Sequence, residues 1–298
     1  MGMRYPAILL GIVLSGCVSS STLPQYMREA ARGEEGAKRA LERIQAELGP
    51  GFETRVVDER FFIATNGDAR SLESIEATVH RMTDHLYQTY FTNRISRPVR
   101  IYCFRDLATY SAYVRSAYGR APTTPYGFYM ASERKMVLNL GTGTGTLAHE
   151  IVHPLVGEDF PGVPAWFNEG FASFFEQTGR DPEGKMIGRN NWRLRDFKRA
   201  KSEGREVPLK TLMETNTDEF YGDDRGVHYA MARYFCMYLQ RQGLLERFYR
   251  EFRASSDRDP TGVASLERVT RKPLAEFEKE WRSWVHAQKS AYFGPNSE

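Results

Sequence analysis

Residues 146–153 read Thr-Leu-Ala-His149-Glu150-Ile151-Val152-His153, and this short run constrains the chain more than any other. Leu147, Ala148, Ile151, Val152, Leu155 and Val156 make the segment apolar nearly all round. The spacing predicts a buried helix. Residues four apart share a helical face, so His149 and His153 can turn one imidazole nitrogen each toward a single point. Two imidazoles and a carboxylate are costly to bury unless something pairs with them. A metal ion does so. Neutral imidazole suits zinc, whose catalytic sites combine three protein ligands with water. Glu150 adjoins the ligands and is placed to take a proton from water and pass it to a leaving amine. The competing reading, an amphipathic helix with two surface histidines, fits the apolar neighbours poorly.

A third ligand is needed downstream. Ala165-Trp166-Phe167-Asn168-Glu169-Gly170-Phe171-Ala172-Ser173-Phe174-Phe175-Glu176 reads as a second apolar helix, with Glu169 as a carboxylate in its midst. His-Glu-x-x-His followed by Trp-x-Asn-Glu-Gly-x-Ala-x-x-x-Glu resembles the gluzincin metallopeptidases of the peptidase MA-like group. The likeness spans residues 146–176. It implies zinc held by His149, His153 and Glu169, with Glu150 as general base and acid. It also implies a tyrosine or histidine that stabilises the oxyanion. Tyr229 is the first candidate and His228 the second, and the bland alternative is that both are core residues of an apolar helix.

The chain departs from that family in three ways. Only 15 residues separate His153 from Glu169, so the connecting loop is shorter than the family's. Pro154 follows His153 directly and predicts a kink. The Gly-x-Met-Glu-Asn motif of aminopeptidases is absent; upstream stands only Val137-Leu138-Asn139-Leu140. Hydrolysis within a peptide or protein substrate is therefore expected rather than trimming from an amino terminus. The Val137–Leu140 strand is expected to be an edge along which a peptide adds by backbone hydrogen bonds.

The first 17 residues read as an address. Arg4 is a short positive region and Ala7 to Leu14 an apolar run too brief to span a bilayer. Leu14-Ser15-Gly16-Cys17 resembles the bacterial lipobox, which implies a lipid on Cys17 and a membrane-anchored protein of the cell envelope. Val18 follows, where aspartate would favour retention at an inner membrane. An outer membrane, with the protein facing the periplasm, is the expectation. Cys103 and Cys236 sit in apolar runs and read as buried thiols, with a disulfide as the lesser alternative. No Cys-x-x-Cys pair exists.

The formal net charge of +3, from 41 basic and 38 acidic side chains, gives no reason to invoke nucleic acid. Apolar residues at 41% suffice for a packed core. Val18 to Tyr26 is Ser-rich and reads as a tether, followed by a helix over Glu34–Leu48 and a strand or hairpin within Arg55–Thr65. A helix over Ser71–Tyr90 carries His80 and His85, both read as solvated or capping groups. A strand at Val99–Phe104, a helix at Leu107–Tyr118 and strands at Tyr126–Tyr129 and Met136–Leu140 precede the repeat Gly141-Thr-Gly-Thr-Gly-Thr146. This repeat lacks the ending of a phosphate loop and reads as a tight turn. Helices are expected near Trp192–Lys201, Val227–Gln240, Leu244–Phe252 and Leu274–Ala287. The fold class is α+β. A signal segment (1–17) and a tether with one helix (18–51) precede a zincin-like lobe with a small mixed sheet and active-site helix (52–180) and a helical lobe (181–298). A zinc peptidase is the expected function. The alternative is a non-catalytic envelope lipoprotein that keeps the fold as a binding or assembly scaffold.

Overall fold

The computed structural model describes residues 23–30 and 32–289. The signal segment, Cys17 and the start of the tether lie outside these residues. The described residues divide into two compact units, one within residues 1–87 and 91–159, the other within 88–90 and 160–298. The expected first lobe ran on to residue 180, but the helix that carries Glu169 belongs to the second unit.

The first unit is built on a mixed sheet in the order β1-β2-β3-β5-β4. Its strands are β1 (Glu53–Val57), β2 (Phe61–Thr65), β3 (Val99–Phe104), β4 (Gly127–Met130) and β5 (Lys135–Asn139). β2, β3 and β5 run parallel, with Phe62 opposite Arg100 and Tyr102 opposite Val137. Every residue of these three strands is buried, as expected of parallel strands covered on both faces. β1 alternates in exposure and pairs only with β2, through a tight turn in which Asp58 and Glu59 both adopt positive φ. β4 pairs antiparallel with β5 and closes the opposite edge. This corrects one expectation: Val137–Asn139 lies in the interior of the sheet, and β4 is the edge.

Helices cover the sheet where their apolar stripes dictate. α1 (Gln25–Ala30) and α2 (Glu34–Leu48) pack together. Leu23, Met27, Ala40 and Ile44 join Phe62, Ala64, Tyr102, Phe104 and Val137 in one core on the first face of the sheet. Residues 23–26 are thus part of the folded body rather than of a tether. The Arg100 guanidinium donates to the Tyr26 hydroxyl at 3.2 Å and fastens α1 to β3. α3 (Ala69–Thr89) buries Leu72, Ile75, Val79, Met82 and Leu86 at helical spacing. His80 on this helix is exposed and pairs with Asp58 at 3.1 Å. α4 (Leu107–Tyr118) starts at Asp106, whose carboxylate accepts from the Thr109 amide, and ends at Gly119 in the left-handed region. Its Tyr110 and Val114 complete the first face.

Successive side chains of a strand point to opposite faces. Ile63, Ile101, Cys103, Met136 and Leu138 therefore face the other way, with Tyr129 of β4 opposite Met136 in register. On that face α5 (Gly145–Asp159) packs against β4 and β5. The glycine-threonine repeat forms a single 3-10 turn over Leu140–Thr142, with Gly143 at φ +84°. Asn139 holds it, accepting from the Gly141 amide at 3.0 Å and donating to the Pro125 carbonyl at 2.8 Å. The anticipated tight entry into the helix is present.

The second unit is helical, apart from a small hairpin of β6 (Thr178–Arg180) and β7 (Met186–Gly188). Its helices are α6 (Ala165–Phe174), α7 (Arg193–Ser202), α8 (Leu209–Glu214), α9 (Thr217–Phe220), α10 (Arg225–Arg241), α11 (Leu245–Ser255), α12 (Val263–Thr270) and α13 (Leu274–Ala287). α10 is the axis: Val227 to Leu239 are all buried, and α6, α7, α8, α11 and α13 pack around it. Gly170 permits the closest approach, since a Cβ there would lie 2.7 Å from the Ala232 carbonyl oxygen. Trp166, Phe167, Phe171, Phe235, Phe248, Tyr249 and Phe252 fill the space between α6, α10 and α11, with Trp166 and Phe235 edge to face at 5.2 Å. The hairpin, α8, α9 and α12 escape the sequence reading because each is too short to show a repeated apolar period.

Candidate metal centre

α5 is buried along its whole inner length. His149 is 1% exposed, Glu150 2% and His153 5%. Each offers one ligand atom, and these three atoms lie within 4.8 Å of one another. The two imidazole rings stand 5.0 Å apart at 74°, and His153 Nε2 lies 3.8 Å from Glu150 Oε2. The expected sharing of one face is present, and the helix continues beyond Pro154 to Asp159. This buried group can hold a metal ion. The donor set fits that role chemically: two neutral-capable imidazoles and a carboxylate converge at one buried point, the ligand types that zinc accepts.

Two neighbours define the setting of the cluster. Tyr129, from the edge strand β4, lies nearly parallel to the His153 ring, 11° between planes with centroids 6.4 Å apart. Its hydroxyl is pushed above the usual tyrosine range, chiefly by burial. At the far end of α5, Asp159 accepts from the Thr92 amide at 2.9 Å and the Asn93 amide at 2.8 Å. That contact pins the segment after α3 to the end of the helix.

The remaining candidates belong to the second unit. Glu169 is fully buried on α6, and its Oε1 accepts a 2.5 Å hydrogen bond from the Tyr221 hydroxyl. Tyr229 is 2% exposed. Burial first, and the Glu169 carboxylate second, push its phenol well above the ordinary value. The Arg193 guanidinium lies over the Tyr229 ring at 4.6 Å. His228 is turned to a backbone group: its Nδ1 donates to the Phe220 carbonyl at 3.0 Å, which ties α10 to the end of α9. Of the two tyrosines near Glu169, Tyr221 makes the short hydrogen bond.

Behind Tyr229 lies a polar network absent from the sequence reading. Arg193 donates from Nε and Nη2 to both oxygens of Glu176, at 2.9 Å and 2.6 Å for the shortest contacts. Asn191 Nδ2 donates to Glu176 Oε2 at 2.9 Å. Burial works to lower the pKa of Arg193, but the Glu176 charge and hydrogen bonds, together with Tyr229 and Glu169, outweigh it and raise the value. The pair is buried, with side chains 3% and 2% exposed. Removing one partner of such a pair leaves an uncompensated charge, at a cost of about 3–5 kcal/mol. Arg193→Ala is expected to lower stability by roughly that amount, measured as a fall in the urea midpoint at unchanged slope. Glu176 closes the Trp-x-Asn-Glu-Gly-x-Ala-x-x-x-Glu pattern in the sequence. Its partner could not be read there, because Arg193 reaches it through the hairpin that the sequence did not disclose.

Cys103 and Cys236 are both free and buried, as the first of the two sequence readings has it. Among the described residues no helix is long and apolar enough to cross a membrane. The chain matches no protein-family model and no curated protein sequence.

Proposed function

We propose that this protein is a zinc-dependent peptidase of the cell envelope, anchored through a lipid on Cys17, that cleaves within peptide or protein substrates. The buried convergence of His149, Glu150 and His153 on one helix is the observation that carries the reading. His149 and His153 hold the ion, and Glu169 is the third ligand, as the likeness to the gluzincins implies. Imidazole and carboxylate are the ligands expected of a catalytic zinc rather than a structural one. Bound zinc supplies Lewis acidity toward a carbonyl and lowers the pKa of water. Glu150 accepts the proton of the attacking water and delivers it to the leaving amine. Glu150 itself is 2% exposed, so that transfer takes place away from bulk water.

β4 suits substrate binding better than the strand first considered. It is the sheet edge on the α5 side, where an extended peptide can add by backbone hydrogen bonds. The lipobox at Leu14–Cys17 supports an envelope location, and Val18 supports the outer membrane, facing the periplasm.

Full-length protein reconstituted with zinc is expected to cleave members of a mixed peptide library at internal bonds. Chelation abolishes cleavage and added zinc restores it, with mass spectrometry identifying the new termini. Fully zinc-loaded protein that leaves the library and denatured envelope proteins intact would overturn the peptidase reading. The scaffold alternative would then stand.

A further inference from the structure

We propose that Tyr221 is the positioning residue of Glu169, fixing the orientation of its carboxylate as a ligand. The inference rests on Glu169 as third ligand and adds a residue to which no role had been given. Its core observation is the 2.5 Å hydrogen bond from the Tyr221 hydroxyl to Glu169 Oε1. Carboxylates that bind metals are commonly fixed by a hydrogen bond of this kind, which settles the side-chain orientation before the ion arrives.

The surroundings of Tyr221 make it a rigid support. It follows α9, whose N-terminus is closed by a capping box: the Asn216 side chain accepts from the Glu219 amide at 3.0 Å, and the Glu219 carboxylate accepts from the Asn216 amide at 2.8 Å. The preceding residue, Phe220, is fully buried. Its ring meets those of Tyr221, Tyr229 and His228 at 5.3, 5.2 and 5.6 Å. The His228 imidazole holds the Phe220 carbonyl from the other side. These contacts hold Phe220, and with it the backbone from which the next residue, Tyr221, projects. Tyr229 also adjoins Glu169, but it is clamped against Arg193 and is the more buried of the two. Tyr221 makes the shorter, better-defined contact, and Tyr229 adds a second polar neighbour to the same carboxylate.

The test is zinc affinity, measured on the full chain by competition with a chromophoric chelator, for wild type, Tyr221→Phe, Glu169→Gln and the double variant. Tyr221→Phe keeps the ring and removes only the hydroxyl. It is expected to weaken zinc binding about 10–100-fold, a loss read against the metal-free melting temperature of the same variant, which falls only modestly with the lost hydrogen bond. The double variant should bind no more weakly than Glu169→Gln alone, because the hydroxyl acts only through that carboxylate. With cobalt(II) in place of zinc, Tyr221→Phe should also alter the visible absorption of the ion, which a purely structural role would not do. Wild-type affinity in Tyr221→Phe, together with weakened binding in Glu169→Gln, overturns the proposal and leaves the third ligand standing. Unchanged affinity in Glu169→Gln overturns the ligand assignment itself.

Discussion

Glu150→Gln is expected to retain about one zinc per chain and to lose hydrolysis by a factor on the order of 10²–10⁴, the range that a positioned general base contributes. Glutamine has the shape of glutamate and fills the same 2%-exposed site, but it cannot accept the proton of the attacking water. The experiment also resolves a chemical ambiguity of the cluster. The Glu150 carboxylate lies close enough to both imidazoles to be a ligand itself. If it served as a ligand, the substitution would release the metal along with the activity. Zinc retained and turnover lost is the signature of a base beside the ion. Metal content by atomic emission and single-turnover peptide cleavage, measured on one preparation, distinguish the two. Full residual activity would remove Glu150 from the mechanism.

The second large effect is on metal-linked stability. Wild-type protein in zinc at 1,000 times its dissociation constant should be more stable than metal-free protein by about 4 kcal/mol, the mass-action value for a ligand that binds only the folded state. In the double variant His149→Ala, His153→Ala that increment should vanish, and zinc per chain should fall from about one to near zero. The comparison is made between metal-loaded and metal-free forms of each protein, so any packing defect left by the alanines cancels. Thermal unfolding with and without zinc gives the two increments directly. An undiminished increment in the double variant would place the metal elsewhere in the chain.

The site-bearing helices and most of the first-unit strands were legible in the sequence because their signals are local. Leu72, Ile75, Val79, Met82 and Leu86 announce α3 by spacing alone, and Gly119 marks the end of α4. The apolar run around His149 and His153 announces a buried helix, and burial of ionisable groups announces a metal. What stayed hidden depends on non-local pairing. Strand order is one case: nothing in Val137-Leu138-Asn139 reveals that β4 folds back outside it. The tether read over Val18 to Tyr26 is another: the burial of Leu23 depends on Met27 and on a core contributed by α2 and the sheet. The partner of Glu169 is a third, since Tyr221 owes its position to the cap of a four-residue helix.

The two cysteines of the folded body are fully buried, and burial pushes both thiols far above their usual range. The thiolate is the reactive species, so neither sulfur competes for an alkylating reagent while the fold is intact. A reagent added to the native protein therefore interrogates Cys17 alone. The acylation state of that sulfur becomes a matter of stoichiometric titration, with the denatured protein as its own internal standard.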